Sequence, residues 1–454
     1  MEDEWRYELA GRFRFPLAVT AAIIVVLAVG IPPEPRGSIP VGAVPWPSRT
    51  PPSPTPAAPG CRASVDDPVS PGVEPTAIRI ASTVTLDGPG AALLDQAPVG
   101  MRAIINKVNR SGGICGRRVE LTTVNDSWDR DRGHTILRRF IEEDYFALVG
   151  LPASDGLVAA LELGEIDAAG IPVVGTPGMA DAEFGSSWVW PVGTSTSAMM
   201  RIVAEHASVR GAWRFAVVRD AVHQFAHDGV AALRAQVARR GGLMATEILI
   251  DPADSDLADE ADKFELACGR FASRCDAVVL LLHPPTALAW RAANPHGTAG
   301  RARPGGLTYG AQTLFTDRFA GACARWCDGM VVWTAYHPSV APLDDRAEIA
   351  RFVGNIRAER TGADLRNQSV QQAYIGMTVF IEAARRCSPV LTRSCLRETL
   401  NSTMFTTGLA PPLRWHDRGR HANKWAQGYV IRASDGSFTH WEPLPGPSVR
   451  DPAG

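Results

Sequence analysis

Six short segments carry the polar residues best placed to bind a small molecule, and five of them directly follow an apolar, strand-like run. Gly150-Leu151-Pro152-Ala153-Ser154-Asp155-Gly156 joins the run Phe146–Gly150 to a helix-like stretch. Backbone N–H groups at a helix start, with a serine hydroxyl beside them, favour an anion such as a carboxylate. A plainer use is open to the same residues, since Ser154 or Asp155 can simply cap that helix. Gly175-Thr176-Pro177-Gly178-Met179 occupies the equivalent place one unit later. There Thr176 can donate to the same anion, and Gly178 lets the backbone approach closely. Phe225 lies in the segment Asp220–Ala226, His283 ends the run Ala277–Leu282, and Gln312 sits in Tyr309–Thr313. The sixth segment, the loop Leu86–Gly90 with Asp87, is the expected rim. In open α/β sheets such loops, at the carboxyl ends of strands, are where ligands settle.

Other constellations carry less. Asn125, Asp126, Asp129 and Asp131 resemble a calcium loop, but the EF-hand glycine and terminal glutamate are not at their spacing. A solvated turn and helix N-cap is the expectation there. His416 and His421 flank a charged turn with no third ligand nearby in sequence, which reads as solvent exposure. The chain has no G-x-S-x-G, no phosphate-binding G-x-x-x-x-G-K-[ST] and no G-x-G-x-x-G after the first strand, so no enzyme, metal or cofactor is expected. A net charge of −2 gives no electrostatic footprint for nucleic acid.

These segments are held by an alternation of elements. A strand at Ala77–Val84 leads to a helix that Ser111-Gly112-Gly113 stops. Strand Val119–Val124, helix Arg132–Glu142, strand Phe146–Gly150, helix Gly156–Ile166 and strand Pro172–Gly175 complete one series. A second runs through strand Phe215–Arg219, helix Asp228–Arg240, strand Leu243–Ile250, helix Ala258–Phe271, strand Ala277–Leu282, helix Pro285–Ala293 and strands at Gly306–Gly310 and Gly329–Thr334. Helices Ser369–Arg386 and Thr392–Asn401 follow, then an antiparallel-looking pair near Leu413–His416 and Gly428–Ile431. Two such runs in 454 residues imply an α/β chain with two mainly parallel sheets covered by helices.

Export is argued from the N-terminus. Residues 1–14 form a short start, and Phe15–Ile31 is an uncharged apolar run, read as a membrane anchor or, alternatively, a cleaved signal. Residues 32–75 are dense in proline and read as a semi-rigid spacer. Eight cysteines include three close pairs, Cys268-Cys275, Cys323-Cys327 and Cys387-Cys395, leaving Cys61 with Cys115. An even count in an exported chain favours these four disulfides over buried free thiols.

The segment Asn109…Gly112-Gly113-Ile114-Cys115-Gly116-Arg117…Val119-Glu120-Leu121 resembles the opening helix–turn–strand of the periplasmic binding proteins that capture leucine, isoleucine and valine for ABC importers. Asn125-Asp126 with Asp129, the loop Val149–Ser154, Gly170–Thr176 and Thr407–Trp415 are similar to further family motifs, in order, from Thr76 to Glu442. The resemblance implies a two-lobed type I fold with three hinge crossings, near Pro191–Thr194, Trp333–Ala335 and Leu409–Leu413. Lobe 1 would comprise 76–192 and 334–410, and lobe 2 would comprise 193–333 and 411–445, with a tail at 446–454. It also implies that Ser154 holds a ligand carboxylate and that Phe225 keeps an aromatic wall without the family's tyrosine hydroxyl. Gln312 stands where the family commonly has an acid facing the ligand's ammonium, so a carboxylate- or amide-bearing ligand is expected instead of a branched-chain amino acid. The implied partners are a small solute and ABC permease subunits, with the protein itself a monomer. A tethered sensor ectodomain and an α/β enzyme are the alternative readings.

Overall fold

The computed structural model describes residues 70–269, 274–295, 306–340, 343–416, 420–445 and 448–453. The apolar run, the proline-rich spacer and Cys61 lie outside them, and among the described residues no helix is long and apolar enough to cross a membrane.

The first half builds β1 (Ala77–Val84), α1 (Ala91–Leu94), α2 (Ala97–Arg110), β2 (Arg118–Asn125), α3 (Arg130–Glu142), β3 (Ala147–Val149), α4 (Asp155–Glu162), α5 (Glu165–Ala169), β4 (Val173–Val174) and β5 (Val189–Trp190). Its strands form one parallel sheet in the order β2-β1-β3-β4-β5. Helices cover both faces, so β1 and β3 are buried almost throughout, without the alternation of a half-exposed strand. The glycine turn after α2 works as its sequence suggests. Gly112 and Gly113 adopt φ of +90° and +73°, and a Cβ on Gly113 would stand 2.0 Å from the Arg117 carbonyl oxygen.

The chain then continues through α6 (Thr196–Val209), β6 (Arg214–Asp220), α7 (Gln224–Arg239), β7 (Leu243–Ile250), α8 (Ala258–Cys268), β8 (Ala277–Leu281), α9 (Pro284–Ala293), β9 (Leu307–Gly310), α10 (Asp317–Cys323) and β10 (Val331–Thr334). It returns to the first sheet with α11 (Ala347–Glu359), α12 (Gln368–Cys387) and α13 (Arg393–Ser402). It ends with β11 (Trp425–Ser434), β12 (Ser437–Pro443) and β13 (Val449–Arg450). The second sheet runs β12-β11-β10-β9-β8-β6-β7, with β13 on β11. The largest buried cluster runs through both bodies, each body adds a smaller cluster of its own, and three connections join them, after β5, after β10 and after α13. They are tied to one another. Thr194 Oγ1 donates to the Asn423 and Trp425 carbonyls, Asn423 Nδ2 donates to Ala335, and Trp415 Nε1 donates to Pro191 at 2.9 Å.

Although it arrives late in the chain, α12 is integral to the first body. Gly100 of α2 sits so close that a Cβ would lie 2.4 Å from the Val370 carbonyl oxygen. Asn367 and Ser369 both donate to the Leu93 carbonyl, and the Arg393 guanidinium spans the carbonyls of Tyr145, Phe146 and Ala169.

Some expectations change. The stretch Gly156–Ile166 is two helices, because Gly164 takes a left-handed φ of +69°. Leu413 bridges Phe405 instead of pairing with Gly428–Ile431, whose partners are β10 and β12. The physical reason is the Asp435-Gly436 turn, with φ of +50° and +82°, which folds β11 directly onto β12. Cys268–Cys275, Cys323–Cys327 and Cys387–Cys395 are disulfides, and Cys115 is disulfide-bonded too, although Cys61 lies outside the described residues.

Candidate functional site

The carboxyl ends of β3 and β4 and the start of α7 face one another across the space between the two bodies. Ser154 precedes α4 and is buried, yet its hydroxyl makes no capping bond. It donates instead to Glu183 Oε1 at 2.6 Å. Glu183 lies in a 3-10 turn at Asp181–Phe184 and is completely buried. Its carboxylate also accepts the N–H groups of Gly178 and Ala180, each at 3.0 Å. Gly178 can serve because it adopts φ of +68°, and a Cβ there would stand 2.7 Å from the Phe184 ring. Thr176 Oγ1 lies buried beside the same carboxyl group, outside hydrogen-bond geometry. Burial pushes the Glu183 carboxyl above its usual range, against the pull of these donors.

Asp155 is the second buried acid. Its Oδ2 accepts from Trp128 Nε1 at 2.6 Å, and its Oδ1 reaches across to the backbone N–H of Gln224, the first residue of α7, at 2.9 Å. Gly156 lets α4 lie against α3, since a Cβ there would meet Gly133 at 2.7 Å. A further pair of links is made by Asp181. Its Oδ2 accepts from Ser197 at 2.6 Å, and its N–H donates to Asp228 at 2.8 Å.

Trp128 closes the other side. Its ring lies 4.2 Å from His223, 6.0 Å from Phe225 and 5.8 Å from His283, so the loop after β2 is not a solvated turn. Asp126, buried, holds that loop through Thr85 and the Trp128 N–H, while Asp129 does cap α3. Asp87, by contrast, is exposed and accepts from Asn125 at 2.8 Å, away from the cavity. His421 is not solvent-exposed: its ring stacks on Phe184 at 3.9 Å.

The fold also assembles Asp220, His223 and His283 at the ends of β6 and β8, with their ligating atoms within 4.8 Å of one another. Burial alone would push His223 down and Asp220 up. The 2.8 Å bond between them outweighs this, so His223 sits above its usual value and Asp220 below. His283, packed deeper and bonded to Thr286, is pushed down to about 4 by burial. This N,N,O set has the donors of a divalent transition-metal site. His283 stands sixty residues beyond His223, which hid the set from the sequence.

Between the bodies, Met179, Thr194, Thr196, Met199, Phe225 and Gln312 line a cavity of about 10 Å³, room for one water at most. Gln312 Oε1 is buried there without a partner. Gln368 touches Met179 through its amide nitrogen, at 3.8 Å from the sulfur, and leaves its own Oε1 unpartnered. Of the sequence-named residues, the structure brings Ser154, Asp155, Thr176, Gly178, Phe225, His283 and Gln312 to this region. Trp128 and Glu183 join them without having been singled out, and Asp181, which the sequence offered as an acid that could stand in for the one missing at Gln312, joins them too.

Two mainly parallel sheets joined by three tied crossings, with loops at the strand ends meeting across a closed cleft, define a type I periplasmic binding protein. The chain belongs to the family described as periplasmic binding protein, whose model matches residues 77–437. No curated protein matches it. Among solved structures, a fatty acid ABC transporter substrate-binding protein from Thermomonospora curvata has a TM-score of 0.69 at 17% identity, covering 84% of this chain and 95% of its own. A leucine-binding protein from Thermotoga maritima gives 0.67 at 16%, covering 82% and 99%. A solute-binding protein from R. palustris in complex with benzoate gives 0.66 at 16%, covering 83% and 98%. These likenesses are likenesses of fold.

Proposed function

We propose that this protein is the extracytoplasmic solute-binding component of an ABC transporter. It captures a small solute of the amino-acid, amide or carboxylate kind by closing its two lobes, and the closed form docks on a membrane permease. The apolar segment Phe15–Ile31 tethers it, and the proline-rich spacer holds the body off the membrane. The observation that carries the reading is a cavity walled by both lobes and shut by polar contacts. Asp155 to Gln224 and Asp181 to Ser197 and Asp228 are bonds that water can replace when the lobes part. Selectivity then comes from a few polar groups in a largely apolar, dry cleft.

A thermal-shift screen of amides, amines, amino acids and small carboxylates tests it. A true ligand binds only the folded chain and raises the melting temperature with concentration, by about 2.7 kcal/mol of added stability at a hundredfold excess over Kd. A full panel without a shift, together with unchanged lobe separation in solution scattering, would overturn the reading.

A further inference from the structure

We infer that Glu183 is a built-in occupant of the anion cradle, so that the cleft takes a solute bearing N–H donors and no carboxylate of its own: a primary amide or an amine. This rests on the solute-binding reading and narrows its ligand class. The donors at the ends of β3 and β4 that suit a ligand carboxylate are the Ser154 hydroxyl and the N–H groups beyond Thr176. In the structure they converge on Glu183, whose Oε1 accepts two of them and whose Oε2 accepts the third. An incoming carboxylate would find these donors taken and would have to lose its own hydration without replacing it.

The turn that carries Glu183 is seated from both ends while the lobes are closed. Asp181 is bonded to Ser197 and Asp228, and Phe184 is stacked on His421 and packed beside Gly178. The surrounding walls, Gln312 from the second body and Gln368 from the first, offer acceptors. Gln312 Oε1 and Gln368 Oε1 are buried without partners, close to Met179, and a buried acceptor left unpaired is costly. A solute with N–H groups satisfies them, and an acid does not.

Two measurements decide the matter. In the wild type, calorimetric titration of matched pairs (isobutyramide against isobutyrate, leucinamide against leucine) is expected to favour the amide by at least about tenfold in Kd. In Glu183→Ala the cradle loses its carboxylate, and sodium acetate is expected to raise the melting temperature of the variant, dose by dose, but not that of the wild type. An acid that binds the wild type as tightly as its amide would overturn the inference, as would a folded Glu183→Ala indifferent to acetate. Should the alanine variant fail to fold, the paired wild-type titrations decide alone. A wild type that no compound shifts counts against solute binding itself, and the acetate titration still reports on the cradle.

Discussion

Replacing Asp155 by alanine should open the cleft without unfolding either lobe. The side chain bridges two bodies: Oδ2 is held by Trp128 Nε1 within the first, while Oδ1 accepts the Gln224 N–H of the second. Only the latter bond is broken when the lobes part. A hydrogen bond to a charged group contributes about 1.5–3 kcal/mol. Because Gln224 begins the sixteen-residue α7, the helix dipole adds roughly 0.3–1 kcal/mol. Part of the sum is recovered when water solvates the separated partners, which leaves about 2 kcal/mol, or some thirtyfold in the ratio of open to closed forms. Fluorophores at the exposed Leu163 and Leu266, one on each lobe, would report the two populations by energy transfer. The expected outcome for Asp155→Ala is a larger separated population, together with a lower chemical unfolding midpoint because the Trp128 Nε1 bond within the first lobe is lost as well. An open-to-closed ratio changed by less than about threefold, with a clear loss of global stability, would show that Asp155 serves only its own lobe.

Two further outcomes follow from buried groups. His283 is pushed down to about 4 by burial, with the Asp220 charge opposing and the His223 charge assisting. The unfolded chain, with histidine near 6.5, therefore binds the extra proton. Stability contributed by keeping His283 neutral is complete above about 6.5 and is lost as pH falls toward 4, by about 2 kcal/mol at pH 5. His206, also near 4, adds to the slope, and His223, held up by Asp220, opposes it. Urea unfolding at pH 7.5 and 5 should show a smaller pH difference in His283→Gln than in the wild type, and equal differences would refute the assignment. Separately, Gly376 of α12 approaches the loop after β4 so closely that an alanine Cβ would stand 2.7 Å from Gly175 Cα. Gly376→Ala should cost about 1–3 kcal/mol in calorimetry, whereas Gly362→Ala, with open space around it, should not.

The architecture was largely legible because long parallel strands and amphipathic helices write strong periodic patterns. The expected bounds of β1 and β7 coincide with the observed ones, and α7, α8 and α12 differ at their ends. Short elements were not legible. β5 is two residues long, and α6 and α11 passed for connections. At the site, what the sequence hid was burial of charge. Asp181-Ala182-Glu183-Phe184 reads as a polar surface turn, and no local pattern distinguishes an exposed glutamate from one buried beneath Ser154 and Gly178. Trp128 was hidden for a related reason, since its positive φ of +55° lies inside a run of polar residues that suggests solvent. The Asp435-Gly436 hairpin was readable from its dipeptide.

The late arrival of α12 and α13 bears on the order in which the polypeptide matures. The sheet made from residues 77–190 cannot complete its core until Val370, Ala373 and Phe380, synthesised long afterwards, come to cover it. A nascent chain that has emerged only as far as β10 thus exposes the apolar face of α2 and lacks the Arg393 clasp on the carbonyls of Tyr145, Phe146 and Ala169. Contacts of such large sequence separation delay folding. The first body therefore completes its core only once the chain has been made as far as α13.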